Sequence, residues 1–124
     1  MYQRGVSLIE LMVAVGIIGI ISAIGFPLYQ DYIETAQQGV MVESMETIRL
    51  FEEESRLSTG SYVAGTYDPA DPDAATGLKA KIGWSPNTTT DEVTYVVDNV
   101  SANGFRITAT HENGTQVQKN YTKL

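Results

Sequence analysis

The sequence predicts an α+β fold, a long N-terminal helix packed on a small antiparallel sheet. Three observations predict it. Leu11 to Leu28 is a run of 18 residues without a charge. Beyond it, apolar residues recur at 3.6 spacing as far as the fifties. The last third holds three alternating segments rich in β-branched residues and separated by turn signals.

As a helix, the uncharged run spans ~27 Å, close to the hydrocarbon thickness of a bilayer. Counted from Val6 the apolar stretch is 23 residues long, interrupted only by Glu10. A charge inside a membrane-spanning segment costs roughly 2.5–3.5 kcal/mol on insertion scales, so Glu10 calls for a partner. Gly16, Gly19 and Gly25 are poor helix formers in water but common in membrane helices. Gly19 and Ala23 form a small-xxx-small pair that permits close helix approach, although plain lipid-facing packing explains them equally. Pro27 has no N–H for the carbonyl of Ala23 and crowds that turn, which predicts a kink between Gly19 and Leu28. Tyr29 and Tyr32 fall where amphipathic rings favour a membrane interface. On physics alone three readings stand. One is a cleaved secretory signal with basic Arg4 ahead of the apolar core and small residues near Ala23. Another is a single-pass anchor. The third is a specialised segment in which Glu10 has a function.

The run Arg4-Gly5-Val6-Ser7-Leu8-Ile9-Glu10-Leu11-Met12 resembles the class III signal of type IV prepilins and pseudopilins. The likeness is close over about 30 residues and looser over the next 30. In that family a short basic leader ends in glycine and is cut after it, the new N-terminus is methylated, and a glutamate lies fifth in the mature chain. The resemblance therefore implies cleavage between Gly5 and Val6, N-methylation of Val6, and an assembly role for Glu10, which would meet the Val6 amine of a neighbouring copy. Such a pair acts mainly as a register device, because a misplaced subunit would leave both charges bare. Pro27 falls where the family has a helix-weakening proline. Val6 departs from the usual phenylalanine. The implied organisation is a leader at 1–5, a helix at 6–58 whose residues 6–28 span the membrane or form a filament core, and a globular region at 59–124 with the pilin fold.

The same resemblance implies a subunit made as an inner-membrane precursor, N-terminus in and C-terminus out, and then built into an extracellular pilus. Its partners would be other copies of itself, other pilins, prepilin peptidase and the inner-membrane assembly machinery. Filaments of this kind serve adhesion, twitching motility, DNA uptake or secretion. A type II secretion pseudopilin shares the N-terminus and is the alternative within the class. A non-polymerising single-pass protein with an extracytoplasmic binding domain is the alternative outside it.

Composition narrows the choices. Losing the leader removes Arg4 and leaves seven basic against fifteen acidic side chains, a net charge of −8. That balance argues against a nucleic-acid module built on a basic stripe. There is no cysteine, so the disulfide-bounded C-terminal loop of many pilins cannot form here. With one histidine, no cysteine and no phosphate-binding glycine loop, neither an enzyme nor a cofactor is expected.

Past Tyr32, the residues Val40, Met41, Ser44, Met45, Ile48, Phe51 and Ser55 share one helical face, and Glu43, Glu46, Arg49, Glu53 and Glu54 share the other. The first face is expected to meet the sheet. Leu50 lies off it, either as a contact to a neighbouring subunit or as an ordinary exposed leucine. Ser58-Thr59-Gly60 closes the helix with a glycine signal. Phe51 to Tyr62 resembles the aromatic and Asn-Gly-x-Tyr pattern of pilins, with Thr59 at the asparagine position. Asp68-Pro69-Ala70-Asp71-Pro72-Asp73 reads as an acidic turn, more often a solvated loop than a Ca²⁺ site. Lys79 to Trp84 reads as a short strand or turn that docks Trp84 on the sheet. Strands are expected at 92–98, 105–111 and 116–122, with turns at 99–104 and 112–114. His111, near a turn, is expected at an edge or exposed.

Overall fold

The computed structural model describes residues 4–87 and 92–124. Leader residues 1–3 and loop residues 88–91 lie outside the described residues. The element order is helix α1 (Leu8–Thr59), strand β1 (Gly65–Tyr67), helix α2 (Leu78–Ile82), and strands β2 (Val93–Ser101), β3 (Gly104–His111) and β4 (Gln116–Thr122). The chain divides into two compact units, Met1–Ala36 and Gln37–Leu124, and α1 contributes to both.

In the first unit α1 begins at Leu8, two residues after the expected start. The cause is local. Ser7-Leu8-Ile9-Glu10 is a capping box, in which a serine before the helix and a glutamate three residues on satisfy each other's orphan N–H groups. The Glu10 N–H donates to Ser7 Oγ at 3.3 Å, and the Ser7 N–H donates to Glu10 Oε2 at 2.8 Å. Pro27 lies inside α1.

The second unit is a helix on a four-stranded antiparallel sheet of order β1-β2-β3-β4. The three strands read from the sequence are present, lengthened at the β2–β3 turn: β2 runs to Ser101, and Ser101 pairs with Gly104 across a two-residue loop. An irregularity between Asp98 and Ser101 accommodates Asn99, whose φ of 51° is left-handed. Gly104 admits no other residue in this geometry, since a Cβ there would lie 2.1 Å from the carbonyl oxygen of Tyr121 on β4.

Two elements differ from expectation. Lys79 to Trp84 is neither strand nor turn: its first residues belong to α2, which ends at Gly83 in the left-handed conformation. Residues 65–67 add the strand β1, too short to leave a periodic signal, paired to β2 through Gly65–Val97, Thr66–Val96 and Tyr67–Tyr95.

The core lies between the second half of α1 and the inner sheet face. Met41, Met45 and Ile48 join Val93, Tyr95, Val97, Phe105, Ile107, Ala109 and Tyr121, with Tyr62, Tyr67, Leu78 and Trp84 closing the sides. Aromatic edges hold it together: Trp84 meets Tyr95 at 5.1 Å and Tyr67 at 5.5 Å, both edge-on, arrangements that ring quadrupoles favour. The Trp84 indole N–H donates to Thr47 Oγ1 on α1 at 2.8 Å, so Trp84 joins helix and sheet.

The buried stripe on α1 is narrower than the sequence suggests. Val40 and Phe51, expected in the core, are exposed, whereas Glu52 and Glu53 are buried. Met41, Met45, Ile48 and Glu52 follow the i, i+4, i+7, i+11 row that faces one partner. Phe51 lies about 100° around the helix from Glu52, beyond the edge of the sheet's cover.

Candidate functional site

Each sequence-derived site residue except Pro27 falls in the segment that precedes and opens α1. Arg4 to Ser7 are non-helical and exposed. Nothing lies within 4 Å of a Cβ built on Gly5, and Val6 is 74% exposed. The Gly5–Val6 peptide is thus sterically open, and the capping box at Ser7 keeps the helix from reaching it.

Glu10 is held from one side only. Its Oε2 accepts from the Ser7 N–H at 2.8 Å and from the Ser7 hydroxyl at 3.0 Å. A carboxylate has room for about four donors on its two oxygens, and Ser7 occupies one oxygen alone. Around Glu10, α1 presents apolar surface in every direction. Each large apolar residue from Val6 to Tyr32 is between 52% and 79% exposed. One stretch of α1 is long and apolar enough to cross a bilayer, and none of it is buried within the protein.

A second group of ionisable residues, absent from the sequence reading as a unit, joins α1 to the loop after it. Tyr62 donates its hydroxyl to Glu53 Oε1 at 2.6 Å, and Arg56 Nε donates to Glu53 Oε2 at 2.8 Å. The Arg56 guanidinium also lies over the Tyr62 ring. Burial pushes the Glu53 carboxyl up, but the Tyr62 hydroxyl and Arg56 outweigh it and hold it below its ordinary range. The neighbouring Glu52 is fully buried. Its Oε2 accepts from the Val63 N–H at 2.8 Å, while Oε1 has no hydrogen-bond partner among the described residues. Burial raises the Glu52 pKa, and the Val63 N–H only partly opposes it. The two adjacent acids are thus pushed in opposite directions. A third clasp joins α1 to β4: Tyr121 donates to Glu46 Oε1 at 3.0 Å under the Arg49 guanidinium. Burial and the Glu46 carboxylate push the Tyr121 phenol well up.

The remaining candidates have local partners. In the 68–73 turn, the Ala70 N–H donates to Asp68 Oδ1 at 2.9 Å, and Asp73 pairs with Lys79. Among the described residues no group of three or more His, Cys, Asp or Glu side chains is placed to hold a metal. His111 is half-buried, and its Nδ1 accepts from the Asn113 N–H at 3.1 Å within the β3–β4 turn. Asn113 Nδ2 in turn donates to Gln37 Oε1 on α1 at 3.0 Å.

Comparison with known proteins places these features in a family. Residues 1–26 match the model of the prokaryotic N-terminal methylation motif. The chain is 47% identical over 58 residues to Prepilin peptidase-dependent protein D of Escherichia coli (strain K12), a match covering 47% of this chain and 40% of that protein. It is 34% identical over 105 residues to a fimbrial protein of Moraxella nonliquefaciens, covering 70% of this chain and 68% of the relative. It is 40% identical over 92 residues to the type IV major fimbrial protein FimA of Dichelobacter nodosus, covering 60% of this chain and 57% of the relative. The chain thus spans less than two thirds of the length of the first and third of these relatives. No solved structure matches it. The methylation motif, the exposed apolar helix and 34% identity to a fimbrial protein over 70% of this chain establish that the chain belongs to the type IV pilin family of fimbrial proteins.

Proposed function

We propose that the chain is a structural subunit of a type IV pilus, cut between Gly5 and Val6 and methylated on Val6 by prepilin peptidase. It is then polymerised through its apolar helix into a surface filament for adhesion, motility or DNA uptake. The observation that carries this reading is the stretch 6–28, whose large apolar side chains are all exposed around a single acid. Such a surface is not stable in water and needs lipid or other helices about it. A membrane precursor with its N-terminus in the cytoplasm supplies the first environment, and a filament of packed helices supplies the second.

Glu10 gives the packing its register. Ser7 holds Oε2 and leaves Oε1 open to a donor from outside the chain. Cleavage after Gly5 would create a charged amine on Val6, and the amine of an adjacent copy is the complementary donor. The capping box fixes the carboxylate's direction before a neighbour arrives, which lowers the ordering cost of the intersubunit pair. Partners on this reading are other copies, other pilins, the peptidase and the inner-membrane assembly machinery. Pro27, which weakens the α1 hydrogen-bond ladder at Ala23, marks where the helix adjusts as subunits pack.

Intact mass of the protein in material sheared from the cell surface tests this. A chain beginning at Val6 with one added methyl is expected there. The Glu10→Ala variant is expected to be cut normally and to be missing from the sheared fraction. Wild-type protein that stays in the membrane with Met1 attached would overturn the reading in favour of a single-pass anchor, and normal filaments from Glu10→Ala would remove the register role.

A further inference from the structure

A helix that packs on another presents holes, each framed by residues at i, i+3, i+4 and i+7, and each takes one side chain of the facing helix. On the bare stretch of α1, a shallow concavity of about 310 Å³ is lined by Ile9, Glu10, Val13, Ala14 and Ile17. Glu10, Val13, Ala14 and Ile17 stand in that i, i+3, i+4, i+7 relation, so the concavity is one such hole. Its depth comes from Ala14. Val13 and Ile17 are large corners, and the single methyl group of Ala14 leaves the space between them and Glu10 open. All five lining residues are exposed.

Charge narrows the occupant. Between Val6 and Leu28 the sequence has one ionisable side chain, Glu10, and it forms a corner of this hole. Ser7 satisfies Oε2 through its N–H and its hydroxyl, and no bond among the described residues reaches Oε1. A fitting occupant must bring an aliphatic group and a cation on the same residue. No lysine or arginine lies between Gly5 and Arg49, so no side chain of the apolar helix supplies the cation. An N-terminal residue supplies both, because its amine is bonded to the Cα that carries its side chain. After cleavage behind Gly5 that residue is Val6.

We infer that the hole receives the Val6 side chain of a neighbouring copy, with the isopropyl group over Ala14 and the amine at Glu10. The contact presupposes the cleavage and polymerisation proposed above and supplies their apolar half. An amine–carboxylate pair fixes register but returns little net energy, because both charges give up their earlier surroundings. Close packing in the hole adds dispersion contacts and keeps water from the pair, which strengthens its hydrogen bonds. Valine suits a shallow hole. Its branched Cβ makes it short and wide, and it has few rotamers to lose on docking. A lipid chain fits the apolar part alone but carries no cation fixed beside it.

Filament yield from the full chain, in the cells that make it, tests this. Leader cleavage is read by intact mass and assembly by the amount in sheared material. Ala14→Leu fills the hole, and it is expected to be cut normally and to lose most of its sheared filament. Val15→Leu, about 100° further round the helix, is expected to keep the wild-type amount. Two second substitutions make room again: Val6→Ala shrinks the incoming side chain, and Ile17→Ala opens the hole from its far corner. Each, added to Ala14→Leu, should restore filament several-fold. Wild-type yield from Ala14→Leu would overturn the inference. So would equal losses in Ala14→Leu and Val15→Leu, since added bulk anywhere on the helix would then act alike. Loss without recovery in either double variant would overturn it as well, and recovery with Ile17→Ala alone would give the hole to a side chain other than Val6. Any of these results beside a wild type that is cut and sheared removes this contact alone. A wild type that keeps its leader, or never reaches the sheared material, removes the polymerisation reading and this contact together.

Discussion

Ile18 and Ile48 are the same residue in the same helix, yet Ile18 is 62% exposed and Ile48 is fully buried. The contrast runs the length of α1. Its first half presents every large apolar side chain outward, and its second half turns Met41, Met45 and Ile48 into a core. The two halves also treat acids differently. Glu10, amid apolar surface, is exposed and braced by the serine three residues before it. Glu52, amid apolar core, is closed in by a loop eleven residues further along, with one oxygen bare. Backbone structure is thus common to both halves, and the difference lies in what each has beside it. The second half has its own sheet. The first half has no cover within its own compact unit, which is why its partner must be sought in lipid or in other copies.

The comparison breaks most sharply on deletion of the same side chain in each half. Ile48→Ala is expected to cost about 2–5 kcal/mol, as cavity formation in a packed core does. Ile18→Ala should change the same measurement by less than about 0.5 kcal/mol, as an exposed substitution does. Urea unfolding of the full chain in mild detergent, followed through Trp84 fluorescence, compares the two. Equal losses would mean that the first half is buried against the folded domain after all.

The paired acids sharpen it by pH. Burial raises the Glu52 pKa, so its contribution to stability is complete below the ordinary carboxylate range and is lost as pH rises through the raised value. The Tyr62 hydroxyl and Arg56, overcoming burial, lower the Glu53 pKa, so its contribution is present above that range and is lost as pH falls through the lowered value. Glu52→Gln should therefore flatten the decline towards neutral pH, and Glu53→Gln the decline towards acid. Unfolding midpoints across the pH range read both. A shared slope change in the two variants would show that they titrate as one group.

The smallest effect belongs to the cap. Ser7→Ala removes the two hydrogen bonds of the hydroxyl, the one it donates to Glu10 Oε2 and the one it accepts from the Glu10 N–H, and caps of this kind are worth about 1 kcal/mol. Faster hydrogen exchange at Leu8 to Leu11 in detergent micelles is expected, with exchange at Met41 to Ile48 unchanged. Unaltered exchange at the first turn would mean that the apolar surroundings hold the helix start without the cap.

Much of this was legible along the chain. The helix could be read from an uncharged run that passes into a 3.6-residue period, and β2, β3 and β4 from alternation with turn residues between them. The capping box was also written in the sequence, as serine and glutamate three residues apart, within the motif that resembles the prepilin signal. The elements that escaped reading are short. β1 has three residues and α2 five, fewer than a period needs to declare itself. The clasp around Glu52 and Glu53 left no local signal, since two adjacent glutamates on a helix ordinarily face water. Their burial follows from the chain doubling back at Gly60, where a φ of 87° turns it so that Tyr62 and Val63 close over them.

The sequence by itself determined the long helix and the strands β2, β3 and β4, and that residues 11–28 of the helix would carry no charge. These depend on periodicity, hydrophobicity and capping, all set by neighbours a few residues apart. Tertiary structure alone decided which face of the second half would be covered, and therefore that Phe51 would be exposed and Glu52 buried. It also decided that Tyr62 and Arg56 would close on Glu53, and that Asp98 of β2 would meet Arg106 of β3. Those outcomes depend on the register of segments far apart in the chain, which no local pattern encodes.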